Sequence, residues 1–274
     1  MKLAFSTNAY RRTTLVDAIR RIARCGYRAV EIMADKPHVW PRSVTDGQID
    51  EIRRALTENG LAISNINAFM MCAVEDFWHP SWIEPDAAYR RKRIRHTVDA
   101  LRLARRIGAP SITTEPGGPL PEGMERTHAM DLFVAGLEEV LPFAEECDVR
   151  LLVEPEPDLL IQDVAQLLEL AERIESPMFG HNFDIGHFYC VSEPLPEAVR
   201  SLASLTAHYH FEDIAATRIH EHLIPGRGAI DFAEVLTAIA STGYVGWLTV
   251  ELYPYLDDPD EAAREARDYL SRML

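Results

Sequence analysis

The stretch RLLVEPEP, residues 150–157, places three apolar residues directly before an acid and a proline. A run this short, bounded by turn residues, is typical of a strand that is buried on both faces of a parallel sheet. Seven other runs have a similar form, and amphipathic segments separate them. The eight runs are KLAFS (2–6), AVEIM (29–33), LAISNI (61–66), SITTE (111–115), RLLVE (150–154), MFGHNFD (178–184), TAHYHF (206–211) and LTVEL (248–252).

The segments between the runs have apolar residues at three- and four-residue spacing, which indicates helices. Several of them end at a glycine, as helices commonly do. These glycines are Gly26, Gly60, Gly108 and Gly243. Eight strands that alternate with eight helices in 274 residues predict a single (β/α)8 TIM barrel over residues 1–274. A Rossmann sheet is disfavoured, because no glycine-rich turn follows the first run.

The charge of the chain argues against two classes of partner. Lys and Arg total 28 against 43 for Asp and Glu, so the formal net charge is −15. Such a surface repels nucleic acid and anionic membranes at long range. The four cysteines form no C-x-x-C pair, and the chain has neither the apolar run of a signal peptide nor a segment that would span a membrane. We therefore expect a soluble, cytoplasmic protein with reduced thiols and with neither nucleic acid nor membrane as a partner.

Acids stand at the ends of five runs, where the active site of a TIM barrel lies. They are Glu31, Glu115, Glu154, Asp184 and Glu251. Buried carboxylates are costly to desolvate, and one divalent cation would neutralise several of them. Each acid also has a simpler interpretation. Glu31 could pair with an Arg or Lys, and Glu115 could line a loop. Glu154 and Glu251 could each form an ion pair, and Asp184 could cap the segment that follows.

A histidine completes the predicted metal site. Strand alternation places His208 and His210 on one face of the seventh run, with Tyr209 on the other. His210 is nearer the end of the strand and is the better candidate for a ligand. One imidazole with three carboxylates suits Mn²⁺, Mg²⁺ or Co²⁺ and tolerates Zn²⁺.

Five motifs, in their order along the chain, carry a resemblance that spans nearly all of it. LLVEPEP, FDIGH, HYHFEDI, PGRGAIDF and LTVELYP resemble the xylose isomerase-like TIM-barrel superfamily of sugar and sugar phosphate isomerases and epimerases. The metal ligands that the resemblance implies are Glu154, Asp184, His210 and Glu251. The substrate contacts that it implies are His187, Arg218 and Glu156, with Arg227 as the alternative arginine.

The resemblance implies a divalent-metal-dependent isomerase or epimerase of carbohydrate metabolism, acting on a sugar, a sugar phosphate or a related hydroxy-carbonyl compound. Glu154 and Glu251 would be the catalytic pair, one removing the proton beside the carbonyl and the other returning it through an enediolate. The same metal site could eliminate water, so a dehydratase of a polyol or keto-acid is an alternative. A non-catalytic barrel and an enzyme of the endonuclease four group are further alternatives. The second needs a basic groove and additional histidines, for which His181, His220 and His222 are the candidates.

Two loops, KPHVW (36–40) and EDFWHPSW (75–82), are rich in aromatic residues. Their rings could cover the apolar face of a sugar at the barrel mouth. Alternatively, Trp78 and Trp82 could belong to a contact between subunits of a homo-oligomer. Candidates for the polar lining of the mouth are Asn8, Asn67 and His38. The sequence leaves open the substrate, its phosphorylation and the choice of metal.

Overall fold

Eight parallel strands form a closed barrel in the computed structural model, which describes residues 1–69 and 78–274. The strands pair in chain order, and the eighth pairs with the first. They are β1 (Lys2–Ser6), β2 (Ala29–Met33), β3 (Ala62–Asn67), β4 (Ser111–Thr114), β5 (Arg150–Val153), β6 (Phe179–Asp184), β7 (Thr206–Phe211) and β8 (Trp247–Val250). The fold is the single (β/α)8 TIM barrel that the sequence predicts.

Helices connect the strands, and two of them, α6 and α7, lie between β6 and β7. In the described residues the helices are α1 (Leu15–Arg24), α2 (Asp46–Asn59), α3 (Ala87–Ile107), α4 (Arg126–Cys147), α5 (Val164–Ala171), α6 (Ile185–Cys190), α7 (Leu195–Ser201), α8 (Phe232–Ser241) and α9 (Pro259–Leu270). Short 3-10 helices occupy Thr7–Tyr10 and Pro41–Ser43. Within residues 1–69 and 78–274, no helix has the length and apolar character needed to cross a bilayer.

Glycines end two of the long helices as predicted. Gly60 follows α2 and Gly108 follows α3, with φ angles of 63° and 83°. This left-handed conformation lets each glycine amide donate to a carbonyl in the last turn of its helix. Gly26 and Gly243 also have positive φ. The helix ends predicted from these four glycines are confirmed.

The register of the barrel brings the strand-end residues of the sequence to one level. Asp184 is the last residue of β6 and lies directly beside His210 of β7. Glu154 and Glu251 are the residues that follow β5 and β8, and Glu31 lies within β2. Because parallel strands all end at the same rim, residues far apart in the sequence meet there.

A buried ion pair joins α3 to the end of β4. The side chains of Arg93 and Glu115 are fully buried, and Nε of Arg93 lies 3.3 Å from Oε1 of Glu115. The guanidinium also donates to the carbonyls of Pro80 (2.9 Å) and Phe69 (2.5 Å). Burial raises the pKa of Glu115 to about 7, although Arg93 acts in the opposite direction. Glu115 is therefore the partner of Arg93 and does not simply line a loop.

Replacing Arg93 by Met should lower the free energy of unfolding by about 3–5 kcal/mol. The substitution retains apolar volume but leaves the carboxyl of Glu115 buried without its partner, which is the costly way to break a buried pair. The midpoint of urea unfolding, followed by circular dichroism, measures the change. The double variant Arg93→Met/Glu115→Met should recover much of the loss, because neither charge is then buried alone.

Arg91→Met is the matched control on the same helix. The ion pair of Arg91 with Glu139 is about half exposed, at 49% and 45%. Exposed pairs of this kind contribute about 1 kcal/mol or less. If Arg91→Met and Arg93→Met were equally destabilising, the stabilising role given to the buried pair would be wrong.

Candidate functional site

The four predicted metal ligands are buried at the carboxyl end of the barrel. Glu154, Asp184, His210 and Glu251 are each 6% exposed or less. Each residue offers one donor atom, and these four atoms all lie within 4.8 Å of one another. The structure thus brings together side chains from the ends of four different strands. We refer to these four residues as the carboxylate cluster.

His210 stands at the centre of the carboxylate cluster. Its Nδ1 lies 2.8 Å from Oε1 of Glu154, 3.6 Å from Oε2 of Glu251 and 3.8 Å from Oδ2 of Asp184. On the other side of the ring, its Nε2 lies 2.8 Å from Oε2 of Glu31. With a cation bound among the three acids, a neutral imidazole that donates through Nε2 to Glu31 would present the lone pair of Nδ1 to that cation. This is the orientation that a metal-ligating histidine needs.

The two oxygens of Asp184 have different surroundings. Oδ1 accepts the backbone N–H of His187 at 2.7 Å and so caps α6. Oδ2 is buried and finds no hydrogen-bond donor in the described part of the chain, and the carboxyl of Glu212 lies near it. A cation beside Oδ2 would compensate for the lost solvation. Capping and cation binding are therefore compatible at this residue.

Two asparagines orient Glu251. Nδ2 of Asn8 and Nδ2 of Asn67 donate to its Oε1 at 2.8 Å and 3.2 Å, which leaves Oε2 facing the rest of the cluster. Asn67 also lines the cavity at the barrel mouth, as predicted, whereas Asn8 acts through Glu251. His38 is not in the described lining of that cavity, and its Nε2 lies 3.2 Å from the carbonyl of Tyr10.

A cavity of about 300 Å³ opens at the carboxylate cluster. The described residues that line it are Asn67, Phe69, Trp78, Glu154, Glu156, His187, His220, His222, Glu251 and Tyr253. Its volume suits a small molecule. Two of the predicted substrate contacts, His187 and Glu156, are on its wall. The described lining includes aromatic rings, acids and imidazoles, but neither Lys nor Arg.

Burial controls the protonation of the acids at the cavity. Burial raises the pKa of Glu154, Glu156 and Glu251, and neighbouring carboxylates add to the effect. Burial would lower the pKa of His210, but Glu154 and Glu31 outweigh it and hold that pKa well above its usual value. Burial also opposes ionisation of Glu31, yet the imidazole of His210 lowers the pKa of this acid. The cluster is thus short of positive charge, which a divalent cation would supply.

Three further imidazoles lie on the cavity wall, and they are neutral at physiological pH. Burial lowers the pKa of His187, His220 and His222 to about 3. The position of His187 agrees with its predicted role as a substrate contact, which stays a prediction. His220 and His222 belong to the loop after β7, and the sequence connects them only with the endonuclease alternative, not with the site of an isomerase. A loop has no periodicity from which the direction of a side chain can be read.

The arginines predicted as substrate contacts are not in the described lining of the cavity. Arg218 is exposed, lies 4.0 Å from the ring centre of Tyr189 and donates to the carbonyl of that residue. Arg227 donates to both carboxylate oxygens of Glu265, at 2.7 Å and 2.5 Å. The loop after β7 therefore presents its histidines to the cavity and its arginines to other surfaces.

The aromatic residues of the second rim loop divide between cavity and core. Trp78 lines the cavity, in agreement with a residue that covers the substrate. Trp82 is fully buried, and its Nε1 donates to Oγ1 of Thr114 at 3.0 Å. Both roles predicted for Trp82, at the mouth or in a subunit contact, are therefore wrong. Residues 75–77 of this loop and Cys72 lie outside the described residues.

Residues behind the carboxylate cluster support it. Glu31 contacts His210 and, at 3.6 Å, His208, so the predicted pairing with an Arg or Lys is wrong. Nδ2 of Asn182 lies 3.1 Å from Nδ1 of His210. Oε1 of Glu212 accepts a backbone N–H of α6 at 2.6 Å, and burial together with a neighbouring carboxylate raises its pKa. Glu31 is among the acids that the sequence places at strand ends, but that position does not identify its partners.

The relatives that match the chain include an epimerase and a dehydratase. A fructoselysine 3-epimerase from Escherichia coli O157:H7 is 24% identical over 282 residues, which cover 100% of this chain and 98% of the relative. An inosose dehydratase from Bacillus thuringiensis (strain Al Hakam) is 26% identical over 153 residues, which cover 49% of this chain and 51% of the relative.

Solved structures share the fold over the whole chain. A D-tagatose 3-epimerase-like protein superposes with a TM-score of 0.84 at 23% identity, and an IolI protein with a bound zinc atom superposes with a TM-score of 0.82 at 18% identity. Each match covers 100% of this chain and 98% of the other.

One family model covers nearly the entire barrel. The model, described as a xylose isomerase-like TIM barrel, matches residues 19–273. Its span includes all four residues of the carboxylate cluster and every strand except β1. By this match, the chain belongs to the xylose isomerase-like TIM barrel family.

Proposed function

We propose that this protein is a divalent-metal-dependent epimerase or isomerase of a small, uncharged polyhydroxy carbonyl compound. The observation that carries the proposal is the convergence of three buried carboxylates on Nδ1 of one imidazole, at the wall of a cavity of small-molecule size. The named relatives act on sugar-like compounds, which supports this choice of reaction.

The residues of the carboxylate cluster fit a divalent cation. They offer three carboxylates and one imidazole, and the buried Oδ2 of Asp184 lacks a hydrogen-bond donor in the described chain. Glu154, Asp184, His210 and Glu251 would hold the ion. Such an oxygen-rich set suits Mn²⁺, Mg²⁺ or Co²⁺ and accepts Zn²⁺. When bound, the cation would supply Lewis acidity at the substrate carbonyl.

Glu154 and Glu251 are the proposed acid–base pair. They follow β5 and β8, which are separated around the barrel by β6 and β7, so their carboxylates reach the cavity from different directions. One would remove the proton on the carbon beside the carbonyl, and the other would return a proton. Burial raises the pKa of both acids, which brings each closer to the range in which a carboxyl can donate as well as accept.

The cavity favours a neutral substrate over a sugar phosphate. No Lys or Arg occurs among its described lining residues, and the sequence of residues 70–77 contains none either. The wall instead carries Glu156 besides the acids of the cluster. A phosphate would therefore meet like charges without a compensating cation from the chain. The rings of Phe69, Trp78 and Tyr253 offer apolar surface for the C–H face of a sugar.

A dehydratase is the second candidate, because an inosose dehydratase matches about half of this chain. Incubation in D₂O with D-tagatose, D-psicose, D-fructose and an inosose separates the two reactions. Deuterium in a product of unchanged heavy-atom composition indicates epimerisation or isomerisation, whereas loss of water indicates dehydration. A barrel without catalysis would do neither. The net charge of −15 and the acidic cavity do not favour an endonuclease.

Asp184→Asn should abolish stabilisation by Mn²⁺ while the metal-free protein keeps most of its stability. Asn is also a good helix cap, so the cap of α6 is retained while the ligand charge is lost. For the wild type, free Mn²⁺ at about 100 times its Kd should add about 2.7 kcal/mol to the free energy of unfolding. Thermal unfolding after chelation and after addition of Mn²⁺ measures both quantities.

Asp163→Asn is the matched control for this substitution. Asp163 caps α5 by accepting the N–H of Gln166 at 2.8 Å, and it is outside the carboxylate cluster. This variant should respond to Mn²⁺ as the wild type does. A full response to Mn²⁺ by Asp184→Asn would contradict the proposed ligand.

Glu154→Gln and Glu251→Gln should each lower kcat by about 10²–10⁴-fold, the usual contribution of a general acid or base. Each amide retains the shape of the side chain but cannot exchange a proton. Glu156→Gln is the control from the same wall, and it should change KM more than kcat. Steady-state rates on the ketose that the D₂O experiment identifies, at saturating Mn²⁺, measure these effects. A kcat within about threefold of wild type for Glu251→Gln would refute the assigned pair.

A phosphate ester of the accepted ketose should have a kcat/KM at least about tenfold below that of the free ketose, because of repulsion by the buried acids. Glu156→Gln should bring the two kcat/KM values closer together, because it removes one carboxylate that repels the phosphate. Glu221→Gln, an exposed acid in the loop after β7, is the control and should leave the ratio unchanged. Preference for the phosphate ester would overturn the neutral substrate class.

A further inference from the structure

One buried aspartate ties together the loop after β7, residues 214–230. Asp213 is fully buried and lies two residues beyond the end of the strand. Its carboxylate accepts four backbone N–H groups at distances of 2.8–3.1 Å. The donors are Ile214 and Ile230 on Oδ1, and Gly226 and Gly228 on Oδ2. Converging N–H dipoles compensate the charge of the buried carboxylate, so its side chain fastens both ends of the loop.

The backbone of Asp213 pairs with the middle of the same loop. Its N–H donates to the carbonyl of Leu223 at 2.8 Å, and the N–H of Leu223 donates to the carbonyl of Asp213 at 2.7 Å. Leu223 directly follows His222, whose Nδ1 lies 3.0 Å from the carbonyl of Glu251. The residue that fastens the loop therefore also sets the position from which His222 reaches the cavity.

The PGRG motif of the loop is explained by these contacts. A Cβ on Gly228 would lie far inside van der Waals contact with Oδ1 of Asp213 and with the carbonyl oxygen of Ile214. Gly226 has a φ angle of 93°, a conformation that favours glycine, and a Cβ on it would overlap the ring of Tyr269. The two glycines thus let the backbone approach the carboxylate of Asp213 closely.

The backbone of Arg218 is a second sign that the loop is held in one conformation. Its φ angle is 59°, which residues with a side chain rarely adopt. Such a conformation persists where surrounding contacts fix it, and the guanidinium of Arg218 stacks on Tyr189, 4.0 Å from the ring centre. Arg218 and Asp213 therefore hold the loop at separate points.

The loop contributes two imidazoles to the wall of the cavity. His220 and His222 both line it, and each contacts another lining residue. Nδ1 of His220 lies 3.5 Å from Oε1 of Glu156, and the ring centre of His222 lies 4.6 Å from that of Tyr253. The shape and polarity of this part of the wall therefore depend on where the loop lies.

We infer that Asp213 is a positioning residue for substrate binding, which acts by holding His220 and His222 in the wall of the cavity. Asp213 itself is not in the described lining. The carboxylate of Glu251 is oriented separately, by two asparagines. Loss of Asp213 should therefore weaken substrate binding more than it slows the chemical step. The effect on substrate rests on the proposed function, whereas the conformation of the loop can be tested without it.

Asp213→Asn keeps the size of the side chain but replaces one accepting oxygen by a donor, which then faces backbone N–H groups. On the substrate that the wild type turns over, at saturating Mn²⁺, KM should rise at least about tenfold while kcat stays within about threefold. This pattern indicates lost binding that is uniform over the ground state and the transition state. Partial unfolding alone would instead lower kcat and leave KM unchanged.

Asp231→Asn is the matched control. Asp231 is exposed, directly follows the loop and caps α8 by accepting the N–H of Glu234 at 3.1 Å. Asn is also a good helix cap. This variant should therefore leave both KM and kcat at their wild-type values.

Limited digestion with trypsin tests the conformation of the loop without any substrate. Arg218 and Arg227 are exposed residues within the loop. Cleavage requires local opening of the chain, so a fastened loop resists it. In Asp213→Asn, mass spectrometry should show cleavage after both arginines at least about tenfold faster than in the wild type. Asp231→Asn should be cleaved at the wild-type rate.

Gly228→Ala tests the same contact from the other side, because the added Cβ would displace the carboxylate of Asp213. It should reproduce both the rise in KM and the faster cleavage. The double variant Asp213→Asn/Gly228→Ala should differ little from either single variant, as expected for two residues that act through one contact. If Asp213→Asn does not fold, as judged by circular dichroism, Gly228→Ala and the resistance of the wild-type loop to trypsin decide.

Two results would each overturn the inference. One is a wild-type loop that trypsin cleaves as rapidly as the loop of Asp213→Asn, and the other is an unchanged KM in that variant, with or without a lower kcat. A wild type that turns over none of the ketoses and no inosose would overturn only the proposed function, and the rates of tryptic cleavage would then decide the role of Asp213.

Discussion

His210 is held between two carboxylates, and the geometry of the whole site depends on this arrangement. Glu31 accepts from one nitrogen of the ring at 2.8 Å, and Glu154 lies 2.8 Å from the other. The first contact fixes the rotation of the imidazole and the second sets the distance to β5. Because Asp184 is the register partner of His210 in the neighbouring strand, the position of the ring also determines where a cation could sit. The contact with Glu31 crosses the barrel from β7 to β2, so it exists only once the barrel is closed.

The sequence predicts most of this architecture because burial leaves a regular pattern in strands and helices. The bounds of the strands lie within two residues of the predicted ones, and the four residues of the carboxylate cluster meet as expected. The loops are different. Arg218 was predicted at the substrate and lies on Tyr189, while His222 of the same loop reaches the cavity. Loop side chains take their direction from turns and local contacts, which apolar spacing does not encode.

Two acids in similar local sequences have different partners, which the sequence around them does not predict. Glu115 and Glu154 each follow a short buried strand and each precede a proline. Glu154 joins the carboxylate cluster, whereas Glu115 pairs with Arg93. The difference comes from the helix packed behind each strand: α3 supplies a guanidinium at one place. An acid at a strand end therefore indicates a buried charge, and the distant part of the chain decides how that charge is compensated.

Arg93 also holds the backbone on both sides of residues 70–77. Its buried guanidinium donates hydrogen bonds to the carbonyls of Phe69 and Pro80, which flank this stretch. Changes in the length or composition of that stretch need not disturb the barrel, because both of its anchor points are tied to α3. Phe69 and Trp78, which flank the stretch, line the cavity. Substitutions of these two flanking residues can therefore change the wall of the cavity while the buried pair of Arg93 and the acids of the carboxylate cluster stay as they are.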